Sequence, residues 1–161
     1  MGSSCNFSEA VDFDLASESA RSYRMDCVEI RIGNRLEEMT KIVALVEDFG
    51  AKHLLPSEAI NQLNLALDEV LNNVISYGYP DGKSSEIKVR LLYRPEEVCA
   101  EVHDEGCAFD PLQAGPPDMS GTVQTRKLGG VGIHFVKQLM DNVSYARVDN
   151  ENRLMLTKKI R

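Results

Sequence analysis

The sequence predicts an α+β fold, a two-layer α/β sandwich whose mixed, mostly antiparallel sheet carries its helices on one face. Two observations predict it. Several segments alternate apolar and polar residues and are joined in pairs by short turns, the mark of hairpins. Two longer segments instead repeat apolar residues at three- and four-residue steps, the helical period. Helices do not alternate with nearly every strand, so a doubly wound parallel sheet is not expected.

Residues 1–24 mix Ser, Glu, Asp and Ala without a steady period and read as a leader, partly disordered, ahead of one domain over residues 25–161. Val28, Ile30 and Ile32 alternate with charged neighbours and predict a strand over Met25–Ile32. From Asn34 to Phe49 the period becomes helical, with Asn34 as N-cap and Gly50 as the stop. Ser57 begins a long helix that runs to Tyr77 and is closed by Gly78 and Pro80. Ile87, Val89 and Leu91 then face one way, and Arg94-Pro95-Glu96-Glu97 turns a hairpin. The returning strand places Val98, Ala100, Val102 and Asp104 on one face. Residues 110–128, rich in Pro and Gly, form a long loop of the kind that serves as a lid. A helix over Val131–Met140 follows. Two strands, Val143–Val148 and Arg153–Ile160, close the chain around an Asp149-Asn150-Glu151-Asn152 turn.

The length of 161 residues suits one domain, and the formal net charge of −7 offers no basic field for nucleic acid or anionic lipid. No apolar run reaches the roughly 18–20 residues that span a bilayer, so no membrane partner is expected. The first residues resemble neither a signal peptide nor a myristoylation signal. The four cysteines show no CxxC spacing, which suits free thiols and a cytoplasmic setting.

Three groups of residues could carry chemistry. Glu69 and Asn73, four apart, stack one turn above the other on the long helix, although a bare pair of this kind also describes a solvated face. Asp104 lies on the inward face of its strand, where a carboxylate needs a donor. An adenine amino group, a salt bridge or a helix N-terminus could each supply it. Gly106 follows, where close approach to a flat ligand gives glycine a reason, and then Phe109. Leu128-Gly129-Gly130-Val131-Gly132-Ile133 precedes an amphipathic helix, whose N-terminus favours anions, or else forms a simple hinge. It matches neither the P-loop nor the Rossmann fingerprint.

In order and spacing these stretches resemble the Bergerat ATP-binding fold of gyrase-type ATPases and histidine kinases. Their wording is closest to the anti-sigma factor serine/threonine-protein kinases. Residues 67–79, LDEVLNNVISYGY, resemble that branch's first motif, residues 103–111, HDEGCAFDP, its second, and residues 129–141 its third. The resemblance covers roughly residues 25–160. It implies Glu69 as general base, Asn73 as the Mg²⁺ ligand, and Asp104 as acceptor for the adenine amino group, with Gly106 clearing room for the ring. It also implies ATP-contacting roles for Asn72, Phe109, Gly129, Gly130, Val131, Gly132 and Ile133, and matches Thr157 to a threonine near the adenine. Cys107 and Ala108 depart from the prolines common there. The implied function is an ATP-dependent kinase that binds a sigma factor and phosphorylates a small anti-sigma antagonist protein, in family members that are commonly homodimers. Two alternatives stay open: a nucleotide-dependent partner switch with little phosphoryl transfer, and the catalytic part of a histidine kinase. The second is disfavoured, because the 24 or so leading residues are not expected to supply the dimerising helical domain with its phosphorylatable histidine, and His53 lies in a loop between helices.

Overall fold

The computed structural model describes residues 25–113 and 129–160. The expectations for the leader (1–24) and for most of the lid (114–128) lie outside the described residues. The order of elements is β1 (Asp26–Gly33), α1 (Thr40–Lys52), α2 (Ser57–Tyr77), β2 (Glu86–Arg94), β3 (Glu97–Asp104), α3 (Gly129–Leu139), β4 (Asn142–Val148) and β5 (Glu151–Lys159). Short 3₁₀ turns occupy Leu36–Met39 and Pro111–Gln113.

The five strands form one sheet in the order β1-β2-β3-β5-β4, and every pairing is antiparallel. The register aligns the inward residues in rows. Ile30, Val89, Val102, Leu154 and Tyr145 make one row, and Ile32, Ile87, Asp104, Asn152 and Arg147 make the next. Against this face α2 buries Leu63, Leu67 and Leu71, each almost wholly removed from water. Burial of such side chains contributes about 1.5–3 kcal/mol apiece and is what fastens the helix to the sheet. Ile42, Val46 and Phe49 of α1 and Ile133 and Val136 of α3 complete the same core.

The opposite face of the sheet carries charge. Arg90 reaches Glu101 at 3.1 Å and Glu29 at 3.7 Å, while His103 lies between Glu101 at 3.4 Å and Glu151 at 3.2 Å. The hydrogen bond from His103 holds the Glu101 carboxyl below its ordinary range. Among the described residues this face is satisfied by cross-strand ion pairs, with no second layer of helices against it.

Two residues expected to bound the first helix do other work. Asn34 is not an N-cap. Its Nδ2 donates to the Lys83 carbonyl at 2.8 Å and its Oδ1 accepts from the Ser85 amide at 3.1 Å, stapling the end of β1 to the approach to β2. Nor does Gly50 stop the first helix, which continues to Lys52. Gly50 is instead where α1 meets α2, since a Cβ there would lie 2.5 Å from Ile60 Cδ1. The helix ends in a Schellman arrangement, with Leu55 N bonded to Gly50 O at 2.9 Å and Leu54 N to Ala51 O at 3.3 Å. That geometry puts Leu54, 88% exposed, at φ +52°, a left-handed position usually held by glycine.

Leu54→Gly relieves this strain and removes no buried contact, so it should stabilise the fold by about 1 kcal/mol. Thermal or urea denaturation should show the gain, and an unchanged or lower midpoint would contradict the strain at Leu54.

Candidate functional site

A cavity of about 430 Å³ opens between the C-terminal half of α2, the end of β3 and the β4–β5 hairpin. This lies within the ordinary range of small-molecule sites, about 300–1,000 Å³. Its walls are apolar: Val70 and Val74 from α2, Val102 and Leu154 from the sheet, Ile133 from α3. Its polar groups are few and converge, namely Asn73, Asp104 and Asn152, with the Tyr145 ring beside them.

Asp104 sits at the floor, 5% exposed, because β3 alternation turns it inward in register with Ile87 and Asn152. Its Oδ1 accepts from the Gly106 amide at 2.8 Å and from Asn152 Nδ2 at 3.0 Å. Among the described residues both of these donors end on Oδ1. Burial pushes the Asp104 carboxyl above its ordinary value, against the opposing pull of Asn152, Gly106 and Arg147. Gly106 is required by close approach. A Cβ there would stand 2.7 Å from the Gly78 carbonyl and 2.8 Å from Asp104 Oδ1. The neighbouring Cys107 amide donates to that Gly78 carbonyl at 2.8 Å, tying the end of α2 to the segment after β3.

Along α2, Asn73 Nδ2 donates to Glu69 Oε1 at 3.0 Å, and both residues are half-buried rather than solvated. The amide oxygen of Asn73 is thereby left available to a cation or a donor. The Glu69 carboxylate lies against α3 so closely that a Cβ on Gly132 would coincide with it. Helix α3 begins at Gly129, so Gly129, Gly130, Val131 and Gly132 form its first turn, where amides have no carbonyl one turn earlier. Lys158 fixes the other end of α3, donating to the Leu139 carbonyl at 3.0 Å and pairing with Asp141 at 3.3 Å. Phe109 and Ile133 both line the cavity.

Asn72 and Thr157, both expected at the site, are turned away from it. Asn72 folds its amide back onto Asp68, at 2.9 Å from the backbone oxygen and 3.2 Å from Oδ2. One position along a helix turns a side chain by about 100°, which separates Asn72 from Asn73. Thr157 pairs in register with Cys99 and Asn142 on the charged face of the sheet, and its hydroxyl lies 3.6 Å from Cys99 Sγ. Strand alternation carries it away from Asp104. Conversely, Asn152 was placed in the closing turn by its sequence, whereas the turn is only Asp149-Asn150, both at positive φ, and β5 already includes Glu151 and Asn152. His53 is packed away from the cavity. It stacks on Tyr93 with ring centroids 4.2 Å apart and bonds Asp26 at 2.9 Å.

A buried carboxylate floor, a half-buried carboxylate–amide pair and a glycine-rich helix start beside an apolar cavity are the features of a small-molecule site. The chain belongs to the histidine kinase-like ATPase domain family, which it matches over residues 32–158. Over 95 residues it is 35% identical to the serine/threonine-protein kinase BtrW of Bordetella bronchiseptica, covering 59% of this chain and 67% of that protein. Over 90 residues it is 29% identical to the serine-protein kinase RsbW of Listeria monocytogenes, covering 53% of this chain and 57% of that protein. The chain thus spans little more than half of the Listeria relative. The crystal structure of the RsbU and RsbW domains of Rv1364c from Mycobacterium tuberculosis superimposes with a TM-score of 0.61 at 16% identity, covering 84% of this chain and 33% of that one. The superposition supports the two-layer fold predicted from the sequence.

The raised carboxyl of Asp104 fixes the sign of a pH effect. Its folded form holds a proton more readily than the unfolded chain, so its contribution to stability is present at low pH and is lost as pH rises through the raised value. Asp104→Asn keeps an oxygen for Gly106 and Asn152 and removes the buried anion. The unliganded variant should melt at or above the wild-type temperature at neutral pH, yet bind adenine nucleotide about 10- to 100-fold more weakly. A variant that melts lower and binds normally would contradict this account.

Proposed function

We propose that this chain is an ATP-dependent serine/threonine-protein kinase that acts as an anti-sigma factor and phosphorylates a small antagonist protein in a partner-switching system. The observation that carries the reading is the Glu69–Asn73 pair, held at 3.0 Å, with Glu69 against the start of α3 and Asn73 on the wall of the cavity that Asp104 floors. The names of the similar kinases and membership of an ATPase family support the same reading.

The residues present suit ATP. Asp104 Oδ2 would accept from the adenine amino group, and the bare backbone at Gly106, where a Cβ would press on the Gly78 carbonyl and Asp104 Oδ1, keeps the floor in shape. Val74, Ile133 and Leu154 offer apolar faces to the ring, and the first turn of α3 offers amides to the phosphates. No cluster of three His, Cys, Asp or Glu among the described residues could hold a metal by itself. Mg²⁺ would therefore be held by Asn73 Oδ1 together with phosphate oxygens and water, a sharing this ion commonly accepts. When bound, Mg²⁺–ATP supplies the phosphoryl group and neutralises its charge. Glu69 would take or orient the hydroxyl proton of the incoming serine or threonine, with Asn73 fixing its carboxylate. The rest is positioning, which suits so sparse a set of polar groups.

A cytoplasmic site of action and a homodimer complete the proposal. No helix among the described residues is long and apolar enough to cross a membrane. Nothing observed favours the partner switch without phosphoryl transfer over the kinase.

Label transfer from ATP to candidate antagonist proteins tests the assignment. Glu69→Ala should keep nucleotide binding and lose transfer by about 10²- to 10⁴-fold. Asn73→Ala should lose the metal-dependent part of ATP affinity. Equal transfer by wild type and Glu69→Ala would sink the role given to Glu69. Tight ATP binding without transfer to any antagonist would favour the partner switch.

A further inference from the structure

Asp104 is held by more than its own strand. Asn152, directly opposite on β5, donates from Nδ2 to Asp104 Oδ1 at 3.0 Å and to the Cys107 carbonyl at 3.1 Å. An amide side chain could present either end, but here its orientation is dictated. Arg147 Nη1 at 2.7 Å and the Tyr145 hydroxyl at 2.8 Å both donate to Asn152 Oδ1. A guanidinium can only donate, so it must meet the oxygen end and send the NH₂ end toward Asp104. The same Arg147 nitrogen reaches the Gly106 carbonyl at 3.2 Å. Donors therefore run one way, from the edge strand β4 through β5 to the carboxylate.

We propose that Asn152, oriented by Arg147 and Tyr145, is a positioning and specificity-determining residue that keeps Asp104 an acceptor and so restricts the cavity to a base bearing an exocyclic amino group. The inference rests on reading the cavity as a nucleotide site. An ionised Asp104 accepts from the amino group of adenine and repels the O6 of hypoxanthine. A protonated Asp104 donates to O6 and loses that discrimination. The groups around Asp104 are Arg147 from β4, Asn152 from β5, the Gly106 amide and the Tyr79 phenol from the segment after α2, while the Glu151 charge acts on it from the other face of the sheet. Burial and Glu151 favour the protonated form, while Asn152, Gly106 and Arg147 favour the anion, with Asn152 the strongest of the three. Loss of Asn152 therefore favours protonation.

Calorimetric titration of ADP and IDP into the full chain at several pH values provides the test. Wild type should bind ADP with little change between about pH 6 and 8 and should discriminate against IDP. Asn152→Ala should bind ADP about tenfold more weakly at neutral pH, with the deficit growing toward pH 6 and the ADP-to-IDP ratio shrinking. Tyr145→Phe should move both readouts in the same direction by less, and Asn152→Ser, which retains a donor, should recover part of the loss. Should Asn152→Ala fail to fold, Tyr145→Phe and Arg147→Met carry the same comparison. Wild-type discrimination and a wild-type pH profile in these variants would overturn the positioning role. Failure of wild type to bind ADP at all would instead overturn the reading of the cavity, and the inference with it.

Discussion

The Asp104 carboxylate takes one hydrogen bond from the Gly106 amide and one from Asn152, and one whole end of the molecule is arranged so that both donors arrive. A carboxylate this deeply removed from water is costly unless donors surround it. Antiparallel pairing of β3 with β5 brings Asn152 opposite, and the tight β4–β5 turn returns Tyr145 and Arg147 to hold Asn152 in place. The absence of a side chain at Gly106 lets the chain fold back under Gly78, so that α2 and the end of β3 share a wall.

The α2 helix connects this floor to the rim. Its apolar stripe is consumed by the core, which fixes its rotation. Glu69 and Asn73 then have only one direction to face, toward the start of α3. Glycine at position 132 lets the two helices approach until carboxylate and backbone touch. Packing thereby determines the geometry of the polar pair, and the pair itself contributes little to holding the fold.

Much of this was legible in the sequence. The bounds of α2, the β2–β3 hairpin and the inward turn of Asp104 followed from periodicity, because each lies in a long segment with one buried face. What escaped depended on contacts between distant segments. Asn34 has the chemistry of a cap, but pairing of β1 with β2 brings Ser85 to it first. Gly50 looks like a terminator and serves instead as a gap for Ile60, ten residues later and on another helix. Asn152 resembled a turn residue, and only the strand register shows it beside Asp104. Thr157 and Asn72 were matched by wording, and a single step of alternation or of helical rotation turns each aside.

His103 and Asp104 are adjacent in the chain yet serve opposite sides of the sheet, the imidazole among ion pairs and the carboxylate within the apolar floor. Adding or deleting a single residue within β3 would exchange them. A polar ring would then sit where an acceptor is needed, and an acid would join two others already crowded together. An extra residue at the hairpin bend or beyond Gly106 would instead displace a loop without inverting a face.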